Sequence, residues 1–173
     1  MPWAMGCAAE QVEETQVVVL AEGEACAVAR EAGVLLNAYR VMVFDFGGAD
    51  PSADEPPCVD CLRNGRCPLR QQQCVCARPL PPSTVTINRQ LEGLRLASIP
   101  PDRPYCVGMF GFGIPGLPPP AEGVSEECDC DFGGLEPAVG SCGVSAFPTE
   151  VRENSAAIFV SVDCRPGCPM LTR

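Results

Sequence analysis

Thirteen of the 173 residues are cysteine, and this density constrains the fold more than any other feature. Thiols held reduced in a cytosol are seldom so numerous; such usage marks an oxidising compartment, where disulfides supplement the core. The positions are Cys7, Cys26, Cys58, Cys61, Cys67, Cys74, Cys76, Cys106, Cys128, Cys130, Cys142, Cys164 and Cys168. They run the length of the chain, so cross-links between distant segments are expected, with a connectivity that spacing alone does not give. An odd count leaves one cysteine outside the pairs. Cys7 stands apart near the N-terminus, and the other twelve suffice for six disulfides. Each would constrain the unfolded chain by roughly 2–4 kcal/mol in isolation. That offsets a core poor in aromatic groups, with one Trp, two Tyr and seven Phe.

The missing residue types narrow the chemistry. There is no His, and all 12 cations are Arg. Without His there is no Ser-His-Asp or Cys-His pair and no imidazole metal ligand. Without Lys there is no phosphate-loop lysine, Schiff base or kinase lysine. The prominence of Ala, Gly, Pro, Val and Arg is what a GC-rich genome gives. A net charge of -10 opposes nucleic-acid binding, which needs a basic footprint. The longest apolar runs, Val17–Ala21 and Val41–Phe44, fall far short of the roughly 20 residues that span a bilayer. No transmembrane helix is expected.

Ala4-Met5-Gly6-Cys7-Ala8-Ala9 places small residues before a cysteine and a polar stretch, Gln11–Gln16, after it. This resembles the cleavage site of bacterial lipoproteins, with Ala4 where that motif usually has Leu. The resemblance implies cleavage before Cys7, a diacylglycerol on its sulfur, and a basic and then apolar leader encoded upstream of Met1. Membrane association would then be through lipid only, with residues 1–16 as a tether. The implied location is extracytoplasmic, in a bacterial envelope or secreted.

The densest cysteine stretch is Cys58-x2-Cys61-x5-Cys67-x6-Cys74-x-Cys76. Three chemistries use such a set. An all-thiolate zinc site would draw on Cys58, Cys61, Cys74 and Cys76, with Cys67 in reserve. Its second pair is C-x-C, unlike the repeated C-x2-C of a zinc ribbon. Cys58-Val59-Asp60-Cys61 has the spacing of a dithiol redox motif, and Pro56-Pro57 could open a helix for it, yet the surrounding βαβ pattern is missing. An iron–sulfur cluster uses the same ligands but a different spacing. A knot of structural disulfides is the expected outcome, with no cofactor.

Short strands between breaker-rich loops organise the rest. Val17–Ala21 reads as a strand. Cys26–Arg30 reads as a short helical turn or a strand edge. Val34–Phe46 is apolar on both alternating faces, which suits a strand buried on two sides. Gly47–Pro57 is an acidic loop, Arg70–Gln73 is polar and exposed, and Arg78–Ser83 is a stiff connector. Thr84–Asn88 alternates, with Val85 and Ile87 on one face, and reads as a half-buried strand. Tyr105–Phe112 and Ala156–Val162 complete the set. No long helix is expected. The stretch from Leu94 through Pro100-Pro101 to Tyr105-Cys106 resembles the corner of immunoglobulin-like β-sandwich domains. The resemblance extends to architecture and not to family. The expected fold is therefore an all-β, disulfide-stabilised sandwich over residues 17–173, with a Cys-rich loop insertion at 47–83.

Candidate sites are few. Glu126, Glu127, Asp129 and Asp131 cluster in sequence, and Asp50, Asp54 and Glu55 form a second acidic loop. Carboxylates of this kind serve calcium in extracellular β domains, paired acids in glycoside hydrolysis, or a solvated surface. Asp45-Phe46-Gly47-Gly48 recurs as Asp131-Phe132-Gly133-Gly134, without the lysine or catalytic loop that a kinase metal motif requires. Met109–Ile114 reads as a core strand or an apolar contact patch. The function this supports is non-enzymatic binding or structural work, with a surface protein or envelope component as partner. An intracellular zinc module and a carboxylate enzyme stand as alternatives.

Overall fold

The computed structural model describes residues 16–92, 94, 96, 99–101, 103–151 and 157–164. Cys7 and Cys168 lie outside them, as does the tail up to residue 15. Eight strands form one mixed, strongly curled half-barrel sheet. They are β1 (Gln16–Glu22), β2 (Leu36–Asp45), β3 (Leu69–Leu80), β4 (Arg103–Gly113), β5 (Ser125–Cys128), β6 (Ala138–Val144), β7 (Thr149–Val151) and β8 (Ala157–Cys164). The spatial order is β1-β8-β6-β4-β2-β3-β5, with β7 alongside β4. β1 runs parallel to β8, and every other pairing is antiparallel. Among the described residues three α-helices accompany the sheet: α1 (Glu24–Glu31), α2 (Pro57–Arg63) and α3 (Thr84–Gln90). None is long and apolar enough to cross a membrane.

The sandwich expectation is thus corrected: one sheet carries a different cover on each face. Side chains alternate across a strand. On β2, Tyr39, Val41 and Val43 join Tyr105, Val107 and Met109 of β4 in a core with α1 and α3. Ala38, Met42 and Phe44 point the other way, toward Phe110, Phe112 and the cysteines around α2. Burial of β2 on both faces agrees with its doubly apolar sequence. Leu36 packs with the odd-numbered set because the register shifts between Leu36 and Ala38. The immunoglobulin-like corner goes with the sandwich expectation: Tyr105 Oη donates to the Pro100 carbonyl at 2.7 Å, but β4 belongs to the one curled sheet and to no sandwich.

Two local readings also change, and a third is decided. Thr84–Asn88 is the body of α3 and not a strand, because Ser83 accepts a hydrogen bond from the Thr86 amide and caps a helix. Cys26–Arg30 is helical, within α1. The stretch 47–83, expected as a loop, contains α2 and the 12-residue β3, which lies in the sheet between β2 and β5. Arg70–Gln73 therefore runs along β2, and the supposed connector at Arg78 is still β3. The glutamines hid a strand whose pairing is set by backbone and cystines.

Five disulfides with both cysteines among the described residues tie this architecture. Cys26–Cys164 joins α1 to β8, and Cys58–Cys106 joins α2 to β4. Cys61–Cys67 closes the turn after α2, while Cys74–Cys130 and Cys76–Cys128 rivet the β3 edge to β5 and the turn after it. Cys142 is disulfide-bonded as well. Where β6 meets β8, a Cβ on Gly143 would lie 2.5 Å from Val162 Cγ1 and 2.8 Å from the Asp163 carbonyl. Only glycine admits that approach.

Candidate functional site

The β3 edge and the C-terminal end of α3 enclose an open cleft of about 210 Å³. Its apolar wall is Val75, Leu91 and Leu94. Val75 faces this side because Cys74 and Cys76, its neighbours, turn to the opposite face for their disulfides. Those two bonds also fix β5, which sets Glu127 opposite Val75 and Glu126 opposite Cys76. Leu91 arrives at the end of α3, where its amide donates to the Ile87 carbonyl at 3.0 Å. Glu92 and Glu127 give the opening its acidic character, while Glu126, opposite Cys76, borders it through its backbone side.

Gln90 forms the buried polar wall. It is 1% exposed, and its amide nitrogen donates to the carbonyls of Arg78 (2.8 Å) and Leu36 (3.3 Å). The Tyr39 hydroxyl donates to its Oε1. Burial pushes the Tyr39 phenol well above its ordinary range. Across the cleft, the Oε1 of Gln73 is buried without a hydrogen-bond partner. The pocket thus joins an apolar wall, two amides and the carboxylates of Glu92 and Glu127, a combination suited to a small polar or cationic group.

The acidic residues singled out in the sequence do not form one site. Glu126 and Glu127 both border the cleft, but they are successive on a strand and point to opposite faces. Asp131 turns away to cap its own 3-10 turn, accepting from the Gly133 amide at 3.0 Å. Among the described residues no group of three or more His, Cys, Asp or Glu is arranged to hold a metal. In the second acidic loop, Asp50 accepts from the Ser52 amide and hydroxyl, which hold its carboxyl below the usual range. Glu55 pairs with Arg63 at 2.5 Å. Cys58, Cys61, Cys74 and Cys76, the zinc alternative, fall in four separate disulfides.

The repeated Asp-Phe-Gly-Gly has two unrelated conformations. The first leaves the end of β2; the second is the 3-10 turn, where Phe132 takes a φ of 50°. That backbone is uncommon for a non-glycine residue. It sets the Phe132 ring 5.7 Å from that of Phe112. Arg40 lies over both rings, at 5.8 and 5.9 Å, and donates to the Cys130 carbonyl at 2.8 Å. Met109–Ile114 is core: its apolar side chains are all buried.

Sequence reasoning did not find Gln73, Gln90, Glu92 or Leu94. The signal for Gln90 was Ser83: a helix capped there places Ile87 and Gln90 on one face at i, i+3 spacing. No protein-family model, curated protein or solved structure matches this chain. The disulfides are consistent with an oxidising, extracytoplasmic setting.

Proposed function

We propose that this chain is a non-enzymatic, extracytoplasmic binding or structural protein, held on a bacterial envelope by lipid on Cys7. The observation that carries the reading is the set of five disulfides distributed over both faces and one edge of a single sheet. Such cross-linking suits a protein that must persist outside a cell without chaperones. The cleft beside α3 is the concave surface it offers a partner. Its carboxylates favour a cationic or polar group on a surface protein or envelope component. Leaving Cys7 to the lipid also leaves an even number of cysteines for pairing.

The test is the intact mass of the protein purified from its native host, with free thiols alkylated under denaturing, chelating conditions. The expected result is a chain beginning at Cys7, heavier by an acyl-sized increment, with twelve cysteines unalkylated. Extensive alkylation together with zinc retained in the native mass would overturn the reading in favour of an intracellular metal module. Paired cysteines on an unacylated chain would remove the anchor and leave a secreted protein.

A further inference from the structure

Two disulfides meet beneath α2. Cys58–Cys106 attaches the helix to β4, and Cys61–Cys67 attaches it to the segment entering β3. Cys67 Sγ lies 4.0 Å from Cys106 Sγ, so one bond stands directly beside the other. Cys58, Cys61 and Cys106 are fully buried, while Cys67 is 7% exposed and offers the approach from solvent. Cys58 and Cys61 occupy i, i+3 positions of α2, which share one face of a helix. The four sulfurs therefore have a second set of near partners: Cys58 with Cys61, and Cys67 with Cys106.

The segment bearing Cys67 is held by more than its own disulfide. The Arg66 amide donates to the Cys61 carbonyl at 2.9 Å, and the Asn64 amide to the Asp60 carbonyl at 3.0 Å. The Arg66 guanidinium pairs with Asp60, which is 4% exposed and also accepts from the Asp50 amide at 2.8 Å. Gly47 passes so close beneath that a Cβ there would stand 2.1 Å from the Arg66 carbonyl oxygen. When Cys61–Cys67 opens, these contacts keep Cys67 beside Cys106. A reaction between groups held in place has a large effective concentration.

We propose that Cys58, Cys61, Cys67 and Cys106 form a thiol–disulfide exchange site that responds to a small aliphatic thiol. The thiolate attacks Cys67 Sγ, breaks the Cys61–Cys67 bond, forms a mixed disulfide on Cys67 and releases the Cys61 thiolate. Cys61 attacks Cys58 Sγ, forming Cys58–Cys61 and releasing the Cys106 thiolate. Cys106 attacks Cys67 Sγ, forming Cys67–Cys106 and returning the small thiolate. Two disulfides break and two form, with no net oxidation or reduction. The exchange converts two bonds that anchor α2 into one within α2 and one between β4 and the entry to β3. The helix is then free of covalent attachment to the sheet. This inference does not depend on lipid at Cys7 or on a partner for the cleft.

The test uses the folded full chain with pre-existing thiols blocked, incubated with millimolar glutathione near pH 8, quenched in acid and mapped with trypsin. In the starting protein the peptide 41–63, which carries Cys58 and Cys61, is joined both to 67–70 and to the peptide carrying Cys106. The expected result is release of 41–63 without a partner, and 67–70 joined to the Cys106 peptide. Unchanged linkages until denaturant unfolds the chain overturn the proposal. So does a Cys61/Cys67 dithiol with Cys58–Cys106 intact. A Cys61→Ala variant supplies an independent reading without added thiol. Its Cys67 thiolate should attack Cys106, so that alkylation is shared between Cys67 and Cys58; label confined to Cys67 counts against the exchange.

Discussion

Tyr39 and Tyr105 show how much of this fold rests on single polar contacts. They are the chain's two tyrosines. Tyr39 is fully buried with its hydroxyl on Gln90, and Tyr105 is 2% exposed with its hydroxyl on Pro100. Burial raises the Tyr39 phenol, and burial followed by the Asp45 charge raises Tyr105. In the unfolded chain both ionise near pH 10. Above that pH the folded state binds more protons than the unfolded state, so stability falls as pH rises through the unfolded value. The native phenolate absorbance should therefore rise at higher pH than that of the denatured chain for both tyrosines. The urea midpoint should drop over the same alkaline range. A native curve superimposed on the denatured one would contradict the burial of both rings.

At the scale of elements, α3 separates what periodicity can decide from what it cannot. Five residues alternating in polarity fit a strand, but so few positions also fit one turn and a half of helix. The Ser83 cap and the burial of Ile87 and Gln90 decide for the helix, leaving Val85 78% exposed. The two readings assign Val85 opposite roles, so the variants Val85→Ala and Ile87→Ala distinguish them. Val85→Ala should change stability by no more than about 0.5 kcal/mol. Ile87→Ala should cost about 2–5 kcal/mol, measured as a lower urea midpoint. Equal costs would favour the strand. The same physics explains the rest of what could be read in advance. β2 and β4 were legible because both their faces are apolar. β1 and β8 stood out through Val-rich runs, although β1 extends past both predicted ends and β8 past its C-terminal one. β3 was not legible: its Arg70–Gln73 half is polar, and its place in the sheet comes from pairing with β2 and from cystines to β5. For the cleft, Glu126 and Glu127 were picked out from local acidity. Gln73, Gln90 and Leu94 reach it only through tertiary packing that local pattern does not encode.

Across the whole molecule, the chain closes by bringing its first and last described strands side by side. β1 and β8 pair in parallel from Gln16 opposite Ala157 to Glu22 opposite Asp163. A parallel pair between distant segments carries a large loop-closure cost. Cys26–Cys164, 138 residues apart in sequence, removes much of it by linking α1 to the end of β8. Cys61–Cys67 spans only 6 residues, so it constrains the unfolded chain far less. Chain-entropy scaling gives about 5 kcal/mol for the long loop and about 2 kcal/mol for the short one. Replacing Cys26 and Cys164 together by Ser should therefore destabilise the protein by roughly 2–3 kcal/mol more than replacing Cys61 and Cys67 together. Equilibrium urea unfolding measures the difference. The long-loop variant should also show the larger rise in m, because its unfolded chain expands further and exposes more surface. Equal losses in the two variants would mean that the β1–β8 pairing persists in the unfolded ensemble, with the cystine acting on the native state alone. A larger loss at Cys26–Cys164 would identify it as the bond that holds the half-barrel shut, consistent with the packing of Val19, Ala21, Val160 and Val162 into one core.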